Sequence, residues 1–441
     1  GRVIENVNAP LFNSPDPLGT GISVHELFGE LRLPLLGGMP FIEKLEFTAA
    51  GRYSDYNTIG TTETYSFGAI YQPTDWLTFR GTFSRAIRAP NIGELFAPQG
   101  IATIGVNEDP CDDGNIGLGS TNRAANCSEF VIDGFSSDDF LTAFSTGTDG
   151  GNPNLTEETS DSFTIGGIFQ PRGILGGALD NLVVIVDYYD IEITDAVGSL
   201  TGAEIAAACV DLPSTDNQFC DAIERDPDRG GAIVGFTSGN INLAVLRARG
   251  IDFDTRYSFD APFGNGEWGT FNLYATGTHF LERFTEGDPV IQTTIADTTD
   301  PQEQQLLIVD QANQSNLLGV IGTPEWIVNF GVNWDFDRFN IGWRTRWEDS
   351  TLRVSNGDAA SAEIIDGEAV LVPNENVADP SQLFTGDGFE HDLTVSYEAR
   401  DNLEIYGGIN NVFDREPFLG SFARPVGPRG RFFFLGVSGS F

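Results

Sequence analysis

RGRFFFLGVSGSF, residues 429–441, puts Phe433, Leu435, Val437, Gly439 and Phe441 on one side of an extended chain and ends on an aromatic carboxylate. Side chains of a β-strand alternate between two faces, so one face of this stretch is almost wholly apolar. Whether that decides a fold depends on how often the pattern recurs.

It recurs throughout. Between Phe339 and Glu348 the odd positions Phe339, Ile341, Trp343, Thr345 and Trp347 are mostly apolar, while Asn340, Gly342, Arg344, Arg346 and Glu348 are polar or small. Trp326, Val328, Phe330, Val332, Trp334 and Phe336 alternate with Asn329, Gly331, Asn333 and Asp335. Ile251, Phe253 and Tyr257 alternate with Asp252, Asp254 and Arg256, and Leu45, Phe47, Ala49 and Tyr53 with Glu46, Thr48 and Arg52. Leu77, Phe79 and Phe83 stand in the same relation to Thr78, Arg80, Thr82 and Ser84. A soluble sandwich alternates as well, so the connections must separate the two folds.

The alternation predicts about 13 strands, near 24–35, 43–56, 62–72, 76–88, 158–170, 181–193, 246–259, 268–282, 324–336, 338–350, 388–399, 402–412 and 430–441. Short links such as Gln72-Pro73-Thr74-Asp75, Asp335-Phe336-Asp337-Arg338 and Ala399-Arg400-Asp401-Asn402 alternate with long segments near 89–157, 194–245, 283–323 and 351–387. Residues 1–23 read as a further loop on the long side. Tight turns on one side and long loops on the other are the arrangement of a transmembrane barrel. The expected fold is all-β: an antiparallel transmembrane β-barrel with short periplasmic turns and long extracellular loops, in a bacterial outer membrane. No stretch approaches the run of about 18 apolar residues that a membrane helix needs, and no basic-then-apolar leader opens the sequence.

The formal net charge is −40, and Lys44 is the only lysine. Acidity on this scale argues against nucleic-acid partners. It suits a surface meeting the outside medium or lipopolysaccharide bridged by divalent cations, and it equally serves solubility. Cys111, Cys127, Cys209 and Cys220 all fall in the long segments. Four cysteines allow three connectivities, and the distance between the two segments favours the local pairs Cys111 with Cys127 and Cys209 with Cys220, oxidised outside the cell.

Candidate functional residues follow from the polar face. Arg52, Arg346, Glu348, Asp252 and Asp254 would face the lumen, where fixed charges of both signs can bind a ligand's hydroxyls through charge-assisted hydrogen bonds. The plainer role is to line water. Arg85 and Arg88 sit where the fourth strand ends and would anchor the following loop. Trp326, Trp343 and Trp347, with Trp76 and Trp268 at the other end, suit interfacial aromatic girdles. Asp109, Asp112 and Asp113 form an oxygen-rich turn beside Cys111 that could hold calcium, although the closing glutamate of a known calcium loop is absent. No cofactor is required. Thr201 and Glu204 make a capping box at the head of a short helix over residues 201–210. None of His25, His279 and His391 has a nucleophile in a recognisable setting, and no GxSxG elbow occurs, so the chain is not expected to be an enzyme.

Two segments carry a family resemblance. LTFRGTFSRAIRAPNIGELF (77–96), with its Arg-Ala-Pro run after a strand, and LEIYGGINNVFDREP (403–417), with Asn-Asn-Val-Phe-Asp closing a strand, resemble TonB-dependent outer-membrane receptors. The terminal Phe441, read as an assembly signal, completes the series in the order the family shows. FCDAIERDPDRGG (219–231) is similar to a large subgroup of these receptors that includes many carbohydrate-uptake members. The resemblance implies a barrel of about 22 strands around a plug, import of a small nutrient, and coupling through the plug to the TonB energy-coupling complex. Residues 1–441 would then be the C-terminal portion of such a barrel, with no plug domain and roughly nine strands fewer than the family. An open sheet leaves two edges in lipid, so the N-terminal portion is expected as a separate chain, a cleaved partner or an unrecorded segment. An oligosaccharide ligand is expected ahead of a ferric siderophore. A passive outer-membrane pore or surface-binding barrel is the alternative, and detergent independence would instead indicate a soluble β protein.

Overall fold

Alternation along the sequence becomes one continuous sheet in the computed structural model. The structure describes residues 21–140, 144–262, 267–286, 318–319, 322–351, 360–365, 368–373, 385–416 and 430–439. Thirteen strands follow one another in chain order: β1 (Val24–Met39), β2 (Ile42–Tyr56), β3 (Gly60–Thr74), β4 (Leu77–Arg88), β5 (Glu158–Phe169), β6 (Leu182–Leu200), β7 (Ala232–Asp260), β8 (Thr270–Glu286), β9 (Trp326–Phe336), β10 (Phe339–Glu348), β11 (Gly388–Arg400), β12 (Leu403–Asn410) and β13 (Phe432–Gly439). Each pairs antiparallel with the next, β1 with β2 through β12 with β13. Each expected span overlaps one of these strands. Phe441 lies outside the described residues, as does most of the segments 1–23, 283–323 and 351–387.

The register separates two faces across the whole sheet. Phe67 of β3 stands opposite Phe83 of β4, which stands opposite Phe163 of β5. On this face Leu27 is 76% exposed, Ile165 52% and Leu435 82%. Apolar surface so extensive and continuous is tolerated in lipid and not in water. The other face carries Glu46, Arg52, Arg80, Asp187, Asp252 and Asp392, the lumenal side of a barrel wall. At the end with short turns, stacked rings form a belt on the outward face: Tyr257 on Phe259, Phe259 on Phe271, Phe271 on Trp334 and Trp334 on Phe336. Trp268 joins it by stacking on Phe336 at 5.6 Å and accepting the Trp334 indole N–H on its carbonyl at 2.7 Å.

Two strands run much further than alternation indicates. β6 has 19 residues and β7 has 29, so the segment expected as loop over 194–245 is largely strand at its ends. The upper part of β7 packs on an extracellular core, burying Ile233 and Phe236, and bulges interrupt its pairing with β6 near Ala244. Its apolar side answers to that core, so the lipid-and-lumen pattern is lost there. Further strands, Gly100–Gly105, Phe144–Gly150 and Ile223–Asp226, join the sheet from the same side. A separate hairpin, Ala360–Ile365 with Glu368–Pro373, occupies part of the long segment 351–387.

Most of the buried apolar side chains therefore lie outside the wall. Ile205, Ala208, Cys209, Val210 and Phe219 pack with Cys111 and Cys127, and a second cluster joins Ile104, Ala206, Ile233 and Phe236. Among the described residues β1 and β13 each have one strand neighbour, so the sheet has two open edges.

Candidate ligand-facing wall and extracellular module

The lumenal face is built from pairs of opposite charge that cross from strand to strand. Arg32 of β1 meets Glu46 of β2 at 2.8 Å, and Lys44 approaches the same carboxylate at 3.4 Å. Arg52 meets Glu26 at 3.6 Å, Ser54 donates to that carboxylate at 2.9 Å, and the Arg52 guanidinium lies 5.6 Å above the Phe28 ring. Arg80 of β4 reaches over β5 to Asp187 of β6, its Nε donating at 2.8 Å. The reach depends on Gly166, which lies opposite both residues, since a Cβ there would come within 1.9 Å of the Asp187 carboxylate. Arg344 of β10 donates through Nε to Asp392 of β11 at 3.1 Å, and the Asn411 amide donates to the other oxygen at 3.0 Å.

The five candidate lumenal residues all lie on this face, in three separate places. Arg52 belongs to a recess near β1 to β4 shared with Glu26, Glu30, Phe28 and Tyr56. Asp252 and Asp254 line another with Arg80, Asp187, Thr278 and Asn329. There Thr278 donates to Asp252 at 2.6 Å, and Arg256 pairs with Asp254 at 3.0 Å. Arg346 and Glu348 pair with each other on β10. The structure thus gives a distributed wall, with Arg80, Asp187, Arg344 and Asp392 as members that alternation places on the polar face without revealing their partners.

Above the wall the two cysteine-bearing segments form one module. Cys111 is joined to Cys127 and Cys209 to Cys220. Helix Gly202–Asp211 starts at Thr201, whose hydroxyl accepts from the Glu204 amide while Glu204 accepts from the Thr201 amide, as its sequence predicts. Two ion pairs, both largely withdrawn from water, bind the segments together. Arg123 donates to Asp211 at 2.7 Å through Nε and to the Asn115 carbonyl at 3.0 Å. Arg225 donates to both oxygens of Asp109, at 2.8 and 2.9 Å, and to the Gly231 carbonyl at 2.9 Å. Arg88 holds the ends of the first segment, pairing with Glu94 at 3.0 Å and Glu158 at 2.6 Å. Arg85 instead faces outward and pairs with Asp161.

Two of the three carboxylates considered for calcium are engaged in this architecture. Asp109 is turned to Arg225 and the Cys111 amide. Asp112 accepts from the amides of Ser137 at 2.8 Å and Gly114 at 3.0 Å. Burial works against its charged form, yet those donors outweigh it and hold the carboxyl below its ordinary range. Asp113 is exposed. Among the described residues no group of three acidic, histidine or cysteine side chains converges as a metal site.

The architecture has clear relatives. Residues 5–412 match the family described as TonB dependent receptor-like, beta-barrel. A mutant of the ferric enterobactin receptor of Pseudomonas aeruginosa superposes with a TM-score of 0.55 at 14% identity, covering 95% of this chain and 46% of that one. The siderophore receptor PirA of Acinetobacter baumannii gives 0.53 at 13%, covering 96% and 47%. The FrpB iron transporter of Neisseria meningitidis gives 0.50 at 13%, covering 95% and 44%. At such identities the likeness is one of fold, and this chain spans about half the length of these structures. No curated protein matches its sequence. With a barrel match extending over nearly all its residues, the chain belongs to the TonB-dependent receptors, a family of bacterial outer-membrane transport proteins and not of enzymes.

Proposed function

We propose that this chain is the C-terminal portion of the barrel of an active importer. Completed by a plug domain and further strands, it takes up a scarce nutrient, and the TonB energy-coupling complex acts on it through the plug. The observation that supports this reading is the division of the wall. An apolar face suits lipid, while the lumenal face holds hydrogen-bonding side chains in fixed ion pairs beneath a cystine-stapled extracellular module.

The ligand we assign is neutral and rich in hydroxyls, with an oligosaccharide first. Arg32, Arg52, Arg80, Arg88, Arg256, Arg344 and Arg346 each face a carboxylate. Such a wall offers donors and acceptors side by side and little uncompensated positive charge for a polyanion. A ferric siderophore is the second reading. It is favoured by Phe28, 66% exposed on the lumenal face beneath Arg52, which suits an aromatic chelate, and the solved relatives named above include siderophore receptors.

Uptake by the full-length receptor, compared for oligosaccharides and ferric siderophores with and without the inner-membrane proton gradient, tests both parts. Uptake that survives discharge of the gradient would indicate a passive pore, and uptake of ferric siderophores alone would replace the first ligand by the second. Arg346→Ala should weaken ligand binding by about ten- to a hundredfold, the worth of a charged hydrogen bond, while leaving assembly intact. Unchanged binding returns Arg346 to a lining role.

A further inference from the structure

The extracellular module holds a strand that is paired along one side only. Gly100–Gly105 runs antiparallel to Phe144–Gly150, which in turn pairs parallel with β7 at Thr237–Gly239. Among the described residues Gly100–Gly105 has no second strand neighbour. One face of this ribbon is firmly seated. Ile104 is 2% and Ser145 6% exposed, and Gly147 lies so close to β7 that a Cβ there would come within 2.4 Å of the Phe236 carbonyl oxygen. The other face, formed by Ile101, Thr103, Phe144, Thr146 and Thr148, is open, with Ile101 81% and Phe144 55% exposed.

The edge of Gly100–Gly105 is unguarded. In an antiparallel strand each residue turns its N–H and C=O to the same side, and the side alternates along the chain. The Gly105 amide donates to the Glu108 carboxylate at 2.6 Å and so points away from the Phe144–Gly150 ladder. By alternation Ile101 and Thr103 direct their amides and carbonyls to that same open side. Exposed edges are ordinarily blunted by a charge, a proline or a bulge, and Gly-Ile-Ala-Thr-Ile-Gly, paired without a break in register, has none of these.

Around this uncharged ribbon the module is strongly acidic. Residues 89–157 hold eleven carboxylates and one cation, and residues 201–231 seven carboxylates and two cations. Arg123 and Arg225 are buried against Asp211 and Asp109, and Arg229 faces Asp226 at 3.5 Å, so the module has no cation left to offset the remaining carboxylates. Two of these stand at the ends of the edge strand, Asp149 opposite Gly100 and Glu108 just beyond Gly105, and both are exposed. A second copy of the module carries the same excess of negative charge and is repelled. We propose that the edge of Gly100–Gly105 takes up an extended basic segment of another protein. The segment adds a strand through backbone hydrogen bonds, sets β-branched side chains beside Ile101 and Thr103, and meets the surrounding carboxylates with cationic ones. This capture takes place outside the lumen and does not depend on which nutrient is imported.

The test uses the full-length receptor in a neutral detergent and a fluorescent peptide of alternating lysine and valine, with binding read by anisotropy. Two control peptides replace lysine by glutamate or carry a methyl group on every second amide, which keeps the charge and removes strand pairing. The lysine peptide should bind, more weakly as salt rises, and both controls should bind at least about tenfold more weakly, the worth of one hydrogen bond. Thr103→Pro removes an edge donor and spares the ladder to Phe144–Gly150, and should weaken the lysine peptide by about the same factor. Thr103→Lys, which keeps the backbone and sets a cation against the peptide, should act likewise. Non-reducing peptide mapping and unchanged protease resistance of residues 89–157 establish that each variant's module is intact. No binding of the lysine peptide overturns the proposal and means that another part of the receptor covers the edge. Equal binding of the methylated peptide overturns it in favour of charge alone, as does undiminished binding by intact variants. A receptor dimer in native mass spectra that Thr103→Pro abolishes would make a second copy the occupant instead.

Discussion

Asp211 is only 4% exposed and its carboxylate accepts from Arg123 and from the Ser120 amide at 3.0 Å, so its charge depends on one guanidinium 88 residues away in sequence. Removing that cation strands a carboxylate where hydration cannot replace the partner. Arg123→Ala should therefore destabilise the module by about 3–5 kcal/mol. The measurable consequence is faster protease cleavage within 89–157 and 201–231, with the wall still assembled. Cleavage at the unmodified rate would show that the cystines alone hold the module. Neither this pair nor Arg225 with Asp109 is legible in the sequence. Each joins residues far apart in sequence that only the folded module brings together. Asp109, Asp112 and Asp113 illustrate the converse. Their spacing is that of an oxygen cluster, yet pairing and backbone amides direct the carboxylates of Asp109 and Asp112 elsewhere, while Asp113 is exposed.

The strand is the scale at which the sequence speaks most clearly, because one residue of displacement exchanges lipid for water. Ile165 faces outward near the middle of β5, and its neighbour Thr164 faces the lumen between Thr82 and Tyr189. Arginine at 165 should cost roughly 2–4 kcal/mol and reduce the heat-modifiable fraction, whereas arginine at 164 should leave assembly near normal. Equal effects would contradict the assignment of faces. Alternation found all the spanning strands because each has a lipid side to mark. It lost β6 beyond Ile193 and β7 before Leu246, where Ile233 and Phe236 are buried by helix and loop and the apolar side ceases to mean lipid. The candidate site was legible only as a face. Arg80 was identifiable as polar, but its reach over Gly166 to Asp187 requires three strands in register.

At the scale of the molecule the governing fact is the pair of open edges. Among the described residues β1 offers one free ladder of backbone groups and β13 another, and hydrocarbon supplies no hydrogen bonds to satisfy them. A wall of this extent is stable in a bilayer only when other strands close it. This chain spans about half the length of the solved relatives. Intact-mass analysis of the detergent-extracted particle separates the possibilities. If one polypeptide supplies all the strands, its denatured mass should be about twice the 47.7 kDa of this sequence; if two do, a native particle of that size should divide into a 47.7 kDa chain and a partner. A self-paired assembly would show only the 47.7 kDa species on denaturation, with twice that mass in the native state. A single 47.7 kDa chain that inserts alone, with β1 and β13 resistant to hydrogen exchange, would mean that the sheet closes on itself and that the family's larger barrel is not needed here.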